Sequence, residues 1–201
     1  MPDGADLAAD VASRGLYRFT TADYQRLAES GVLDGDARVE LIEGVIVPMS
    51  PVSVSHCFAV MMLDELLRAA LEPRFRVRSE AAVQLGAYSQ PQPDVSVIQR
   101  GPDIYRTRLP GPLDILLLAE IASSSLDRDR RDKIPLYAMH GIPEFWLVNL
   151  AEREAEIFRD PAEGGFRFSD KVGLDGYLTP LIDPSVQIPL SALFADEDAA
   201  R

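Results

Sequence analysis

Seven consecutive residues, Ile115-Leu116-Leu117-Leu118-Ala119-Glu120-Ile121, are apolar at every position except Glu120. A strand with one solvated face alternates apolar and polar side chains, whereas an unbroken apolar run requires cover on both faces. In a chain of 201 residues, that cover comes most economically from helices packed on either side of a sheet. The run therefore implies an α/β fold.

The rest of the chain supplies matching pieces. Thr20-Thr21-Ala22-Asp23 reads as a capping box, opening a short helix that Gly31 stops. Residues 38–42 and 45–49 flank Glu43-Gly44 as the arms of a β-hairpin. Ser53 or Ser55 caps a helix carrying Phe58, Met61, Met62, Leu66 and Leu67, with Pro73 at its end. Residues 74–85 read as one extended segment, and Pro93-Asp94-Val95-Ser96-Val97-Ile98 as a strand. A helix is expected over 127–140, bent or restarted by Pro135. Strands follow at 144–149 and near 156–158 and 166–168. Together these predict a mixed sheet flanked by helices, with an N-terminal helix and hairpin. One domain over 16–194 is expected between flexible tails at 1–15 and 195–201, which hold little to bury.

The only cysteine is Cys57, so an internal disulfide and a cysteine-built zinc cluster are both excluded. No signal-like N-terminus or membrane-length apolar run is visible, and a cytoplasmic location is expected. The net charge of −12 disfavours polyanionic partners, because nucleic-acid affinity comes largely from Lys and Arg neutralising phosphates. Metal ions on clustered carboxylates would offset it. So would local cationic concentrations, of which Arg74/Arg76/Arg78 and Arg128/Arg130/Arg131/Lys133 are the candidates.

Glu120 carries the chemical signal. A carboxylate on a buried strand must be salt-bridged, protonated or metal-bound. Asp94 opens another apolar strand, and two carboxylates at matching strand ends can share a hard cation such as Mg²⁺ or Mn²⁺. Strand alternation puts residue 122 on the face of Glu120. A lysine there would orient an attacking water, but the residue is Ala122. The nearest amine is Lys133, flanked at four-residue spacing by Asp129 and Tyr137 on one helical stripe. Alternatively, Lys133 is an exposed lysine in a charged run. His56 and Cys57 cannot form a nucleophilic dyad, since neighbours on a helix point about 100° apart. Cys57 is accordingly read as core, and His56 as a helix-start residue or a support for the centre. The segment Ser123-Ser124-Ser125 lacks the glycines of a hydrolase elbow. Asp127-Arg128-Asp129 lacks the Gly and Glu of a calcium loop.

Taken together, Val39-Glu40-Leu41-Ile42-Glu43-Gly44, Met49-Ser50-Pro51, His56, Gln92-Pro93-Asp94, the segment from Glu120 to Leu126 with Asp129 and Lys133, Tyr137, and Gly141-Ile142-Pro143-Glu144-Phe145-Trp146-Leu147-Val148 resemble the Uma-type restriction endonucleases of the PD-(D/E)xK superfamily. The resemblance implies a restriction-endonuclease-like fold whose catalytic lysine has moved from the strand to the next helix. It makes Asp94 and Glu120 metal ligands, Lys133 the displaced lysine and Glu40 an auxiliary acid. The expected activity is Mg²⁺-dependent hydrolysis of DNA, by a homodimer if both strands are cut. Asp129, Tyr137, Gln84 and His56 are the expected supporting side chains. The rival expectation is an inactive module that keeps the fold to bind protein or nucleic acid.

Overall fold

A computed structural model describes residues 14–34, 37–101 and 103–194. Apart from Arg14 and Gly15, the two expected tails lie outside the described residues.

The capping box forms as read. Thr20 Oγ1 accepts from the Asp23 amide at 3.1 Å and Asp23 Oδ2 accepts from the Thr20 amide at 2.9 Å, opening α1 (Thr21–Glu29). The hairpin follows as β1 (Val39–Ile42) and β2 (Val45–Pro48). Its two turn residues, Glu43 and Gly44, both have positive φ, 50° and 84°, which gives the backbone twist that matches paired strands. Gly44 is required twice over, because a Cβ there would stand 2.7 Å from the Cβ of Arg18. The hairpin docks on a loop fifty residues onward. Gln90 N–H donates to the Leu41 carbonyl at 2.8 Å, Gly44 N–H to the Tyr88 carbonyl at 2.7 Å, and Ser89 Oγ to Glu43 Oε1 at 3.0 Å.

Ser53 caps α2 (Val54–Leu71), accepting from the His56 amide at 3.1 Å. The face that α2 buries is His56, Ala59, Val60, Leu63, Leu67 and Leu71. This face is rotated from the one read in the sequence, and Cys57 and Met61 are exposed. Of the expected stripe, Leu67 is buried and Met62 and Leu66 pack partly against the core.

Six strands form the main sheet: β3 (Phe75–Ser79), β4 (Val95–Gln99), β5 (Ile115–Ala122), β6 (Glu144–Asn149), β7 (Glu154–Ala162) and β8 (Gly165–Val172), adjacent in that order. Only the β5–β6 pair is parallel. It is bridged by α3 (Leu126–Met139), which runs through Pro135 without a break. The extended segment expected over 74–85 ends as a strand at Ser79. Glu80 then takes a left-handed φ of 45° and turns the chain out of the ladder. A short pair, β9 (Tyr177–Leu178) with β10 (Ile188–Pro189), closes the C-terminal side.

The double cover demanded by 115–121 is present. Leu117, Ala119 and Ile121 pack under α2 and the turn at Leu190–Leu193. Leu118 and Ala122 face the other way, onto Leu136 and Tyr137 of α3 and Ile42 of the hairpin. Among the described residues no helix is long and apolar enough to cross a membrane.

The turn provides a test of the hairpin's anchoring. Gly44→Ala is expected to cost about 1–3 kcal/mol in urea unfolding followed by the fluorescence of Trp146. Gly31→Ala, at a φ of 74° with nothing within 4 Å of the added carbon, should cost less.

Candidate active site

β4 and β5 run antiparallel with Val95 opposite Ala119. Asp94, one residue before Val95, therefore stands across from Glu120, one residue after Ala119. Both line a cleft of ≈ 50 Å³ at the mouth of α3, room for several water-sized groups. Asp94 Oδ2 accepts from the Ile121 amide at 2.6 Å and meets His56 Nε2 at 3.2 Å. Glu120 Oε1 accepts from the Tyr137 hydroxyl at 2.6 Å and lies 3.2 Å from Lys133 Nζ. Lys133 in turn donates to Glu40 Oε2 at 2.6 Å, which also accepts from the Gln92 amide at 3.2 Å. Asp129 lines the cleft one helical turn before Lys133. Glu40, Glu120 and Lys133 are only 5 %, 6 % and 5 % exposed.

Elementary geometry explains the convergence. Residues 129, 133 and 137 recur every four positions, so one stripe of α3 faces the sheet. Glu120 alternates onto that same face with Leu118 and Ala122. Glu40 arrives from β1 because the hairpin is clamped to residues 88–90.

The charges in this cleft are out of balance. Burial pushes the Glu120 carboxyl up to about 8; Lys133 opposes the rise, while Asp94, Asp129 and Glu40 add to it. Burial alone would lower the Lys133 ammonium, but Glu120 and Glu40 outweigh it and hold the group protonated. Asp129 is raised mainly by burial. Tyr137 is pushed well up by burial and by Glu120, so it remains a donor. The His56 imidazole is raised chiefly by its hydrogen bond to Asp94. Glu120, Glu40 and Asp129 thus bear on one ammonium, while Asp94 faces the His56 imidazole.

That imbalance is what a hard cation would relieve. Among the described residues neither Asp94 Oδ1 nor Glu120 Oε2 has a hydrogen-bond partner, and both residues border the cleft. No group of three or more His, Cys, Asp or Glu side chains is poised around one point among the described residues. Asp94 and Glu120 are carboxylates with free oxygens bordering the cleft, a donor chemistry compatible with a hard divalent cation such as Mg²⁺, which completes its octahedron with water and phosphate oxygens.

Of the expected site residues, Asp94, Glu120, Lys133, Glu40, Asp129, Tyr137 and His56 come together. Gln84 does not. Its side chain reaches Thr21 Oγ1 and the Gly86 carbonyl, both at 3.4 Å, in a separate groove. The left-handed turn at Glu80 carries it there. The reading missed Arg38, which lines the cleft, and the amides of Gln92 and Ile121. Backbone donors leave no trace in residue identity, and Arg38 is marked only by its place two residues before Glu40. The expected cationic concentrations are largely neutralised internally. Arg74 pairs with Asp183, Arg130 with Glu156 and Arg131 with Asp132, while Lys133 is buried.

The raised Glu120 carboxyl has a thermodynamic sign. Between the ordinary carboxylate range and about pH 8 the folded chain keeps a proton that the unfolded chain has lost, so stability falls as pH rises through this window. Urea unfolding at pH 5 and pH 8 should show a loss on the order of 1–4 kcal/mol, since a tenfold change in proton affinity is worth about 1.4 kcal/mol. Glu120→Gln should flatten the dependence.

The family model "Uma2: Putative restriction endonuclease" matches residues 21–188. Among solved structures, a putative nuclease belonging to DUF820 from Anabaena variabilis superposes with a TM-score of 0.71 at 18 % identity, covering 88 % of this chain and 97 % of that one. No curated protein matches the chain.

Proposed function

The chain belongs to the Uma2 family of restriction-endonuclease-like proteins, and from that premise we propose that its cleft hydrolyses DNA phosphodiester bonds as a PD-(D/E)xK-type, Mg²⁺- or Mn²⁺-dependent endonuclease. One observation carries the reading: two facing carboxylates, each with a free oxygen, beside a buried and protonated lysine. Asp94 and Glu120 would hold the ion, which when bound activates water and offsets phosphate charge.

Hydrolysis forms one P–O bond from water and breaks another. The water's hydroxyl goes to phosphorus and its proton to the leaving oxygen. Lys133 cannot take that proton, because its acidic neighbours keep it charged. Its part is to donate hydrogen bonds to the water or to the phosphoryl oxygens as negative charge grows on them. Glu40 and Glu120 fix the ammonium in place. The Ile121 amide and His56 orient Asp94 through Oδ2, leaving Oδ1 toward the cleft. The Tyr137 hydroxyl does the same for Glu120. The same reading places the protein in the cytoplasm as a homodimer, two sites serving two strands, which light scattering would check.

The test compares wild type with Asp94→Asn and Lys133→Met on supercoiled and linear DNA. Cutting is expected only with Mg²⁺ or Mn²⁺. Asp94→Asn should lose both Mn²⁺ binding by calorimetry and cutting. Lys133→Met should lose cutting by at least about 100-fold, on the scale of removing a transition-state donor, while still binding Mn²⁺. Metal binding without any cutting would leave a binding module and sink the nuclease reading. A second outcome concerns pH. Because Glu120 must shed its proton to bind, Mn²⁺ affinity should rise from pH 6 to pH 8 with proton release.

A further inference from the structure

Most cations of the described chain are committed to acids: Arg18 to Glu43, Arg68 to Asp64, Arg108 to Asp114, Arg159 to Glu144 and Lys171 to Glu154, besides the pairs already described. Two arginines that line the cleft are exceptions. Arg38 is exposed and its guanidinium has no hydrogen-bond or ion-pair partner among the described residues. Arg128, in the first turn of α3, donates only to neutral acceptors, the Pro48 carbonyl at 2.8 Å and Ser50 Oγ at 2.9 Å. Those bonds hold it against the loop between β2 and α2. The mouth of the cleft is also the N-terminus of α3. Its N-cap residue, Ser125, makes no capping side-chain bond, so first-turn amides stay available to an anion. Asp127 and Asp129, both in that first turn, oppose an anion there, and the two guanidiniums, neither in an ion pair among the described residues, stand against them at the mouth.

Resting on the proposed nuclease reading, we infer that Arg38 and Arg128 grip the backbone phosphates flanking the scissile bond, and that this pair supplies positive charge at the cleft of an acidic chain. Guanidinium forks match phosphate oxygens in a way an ammonium does not. The grip recognises the phosphodiester backbone and not the bases, so it favours no sequence.

Each phosphate neutralised adds roughly 0.9 to the salt slope of duplex binding, and roughly 0.7 for a single strand. The experiment measures fluorescence anisotropy of labelled single-stranded and duplex oligonucleotides across a salt series, with Ca²⁺ in place of Mg²⁺ to hold back cutting. Arg38→Gln and Arg128→Gln should each weaken binding and lower the slope by about 0.7–0.9. Arg128→Lys should keep the slope, and Arg76→Gln, on exposed β3 outside the cleft, should change nothing. Arg38 is exposed and tethers nothing, so its variant reports on binding even if Arg128→Gln disturbs the loop. Wild-type slopes in both Gln variants, or no oligonucleotide binding by wild type, would overturn the grip. Its failure is separable from that of the nuclease reading. A protein that binds with these slopes but never cuts keeps the grip, and one that cuts with unaltered slopes keeps only the chemistry.

Discussion

Lys133 is where three separately formed pieces of the chain meet. Its ammonium lies 2.6 Å from Glu40 on the hairpin and 3.2 Å from Glu120 on the central strand, while its backbone belongs to α3. Removing one partner from such a buried set leaves an uncompensated charge at a cost of about 3–5 kcal/mol. The hydrophobic clusters would hold sheet and helices together without it. The clamp at residues 88–90 brings the hairpin to the sheet mouth, and the bond from Lys133 to Glu40 ties it there to α3. The ion set is best understood as fixing the site's shape, at some expense in stability.

The arrangement is frustrated as it stands. Burial, with Asp94, Asp129 and Glu40 close by, outweighs Lys133 and leaves Glu120 keeping a proton at neutral pH, and the protein accepts that strain at one end of an otherwise well-packed sheet. Functional sites are one place where such strongly shifted groups cluster. The surrounding hydrogen bonds all aim the same way. The amides of Ile121 and Gln92, the Tyr137 hydroxyl and His56 each engage one oxygen of an acid, so the orientation of the acids is set before any ligand arrives.

Much of this was visible in the linear chain wherever a local rule was broken. Glu120 interrupts an apolar run, Asp94 opens another, and the stripe 129/133/137 follows helical spacing. Ala122 showed that the lysine could not come from the strand. Glu40 was different: nothing in the hairpin distinguishes it, and only the family resemblance singled it out. Errors came where local pattern and tertiary choice diverge. Gln84 was placed by assuming that a strand continued past Ser79, but a single left-handed residue, Glu80, redirects the chain. Cys57, expected in the core, is exposed one position along α2 from the buried His56, a rotation that residue type does not reveal. Two of the acids that neutralise the basic clusters lie far off in sequence, Asp183 at 109 residues from Arg74 and Glu156 at 26 from Arg130.

The hairpin's place in the chain has a temporal side. Glu40 precedes its lysine by 93 residues, whereas Asp94 and the Ile121 amide are separated by 27 and Tyr137 from Glu120 by 17. Contacts that close short loops form early and those that close long loops form late. Residues 88–90, which clamp the hairpin, precede the central strand and α3 in the chain, so the hairpin's dock can be built before the helix that carries Lys133. The bond from Glu40 to Lys133 closes the longest of these loops, and a chain that stops short of α3 carries no finished site.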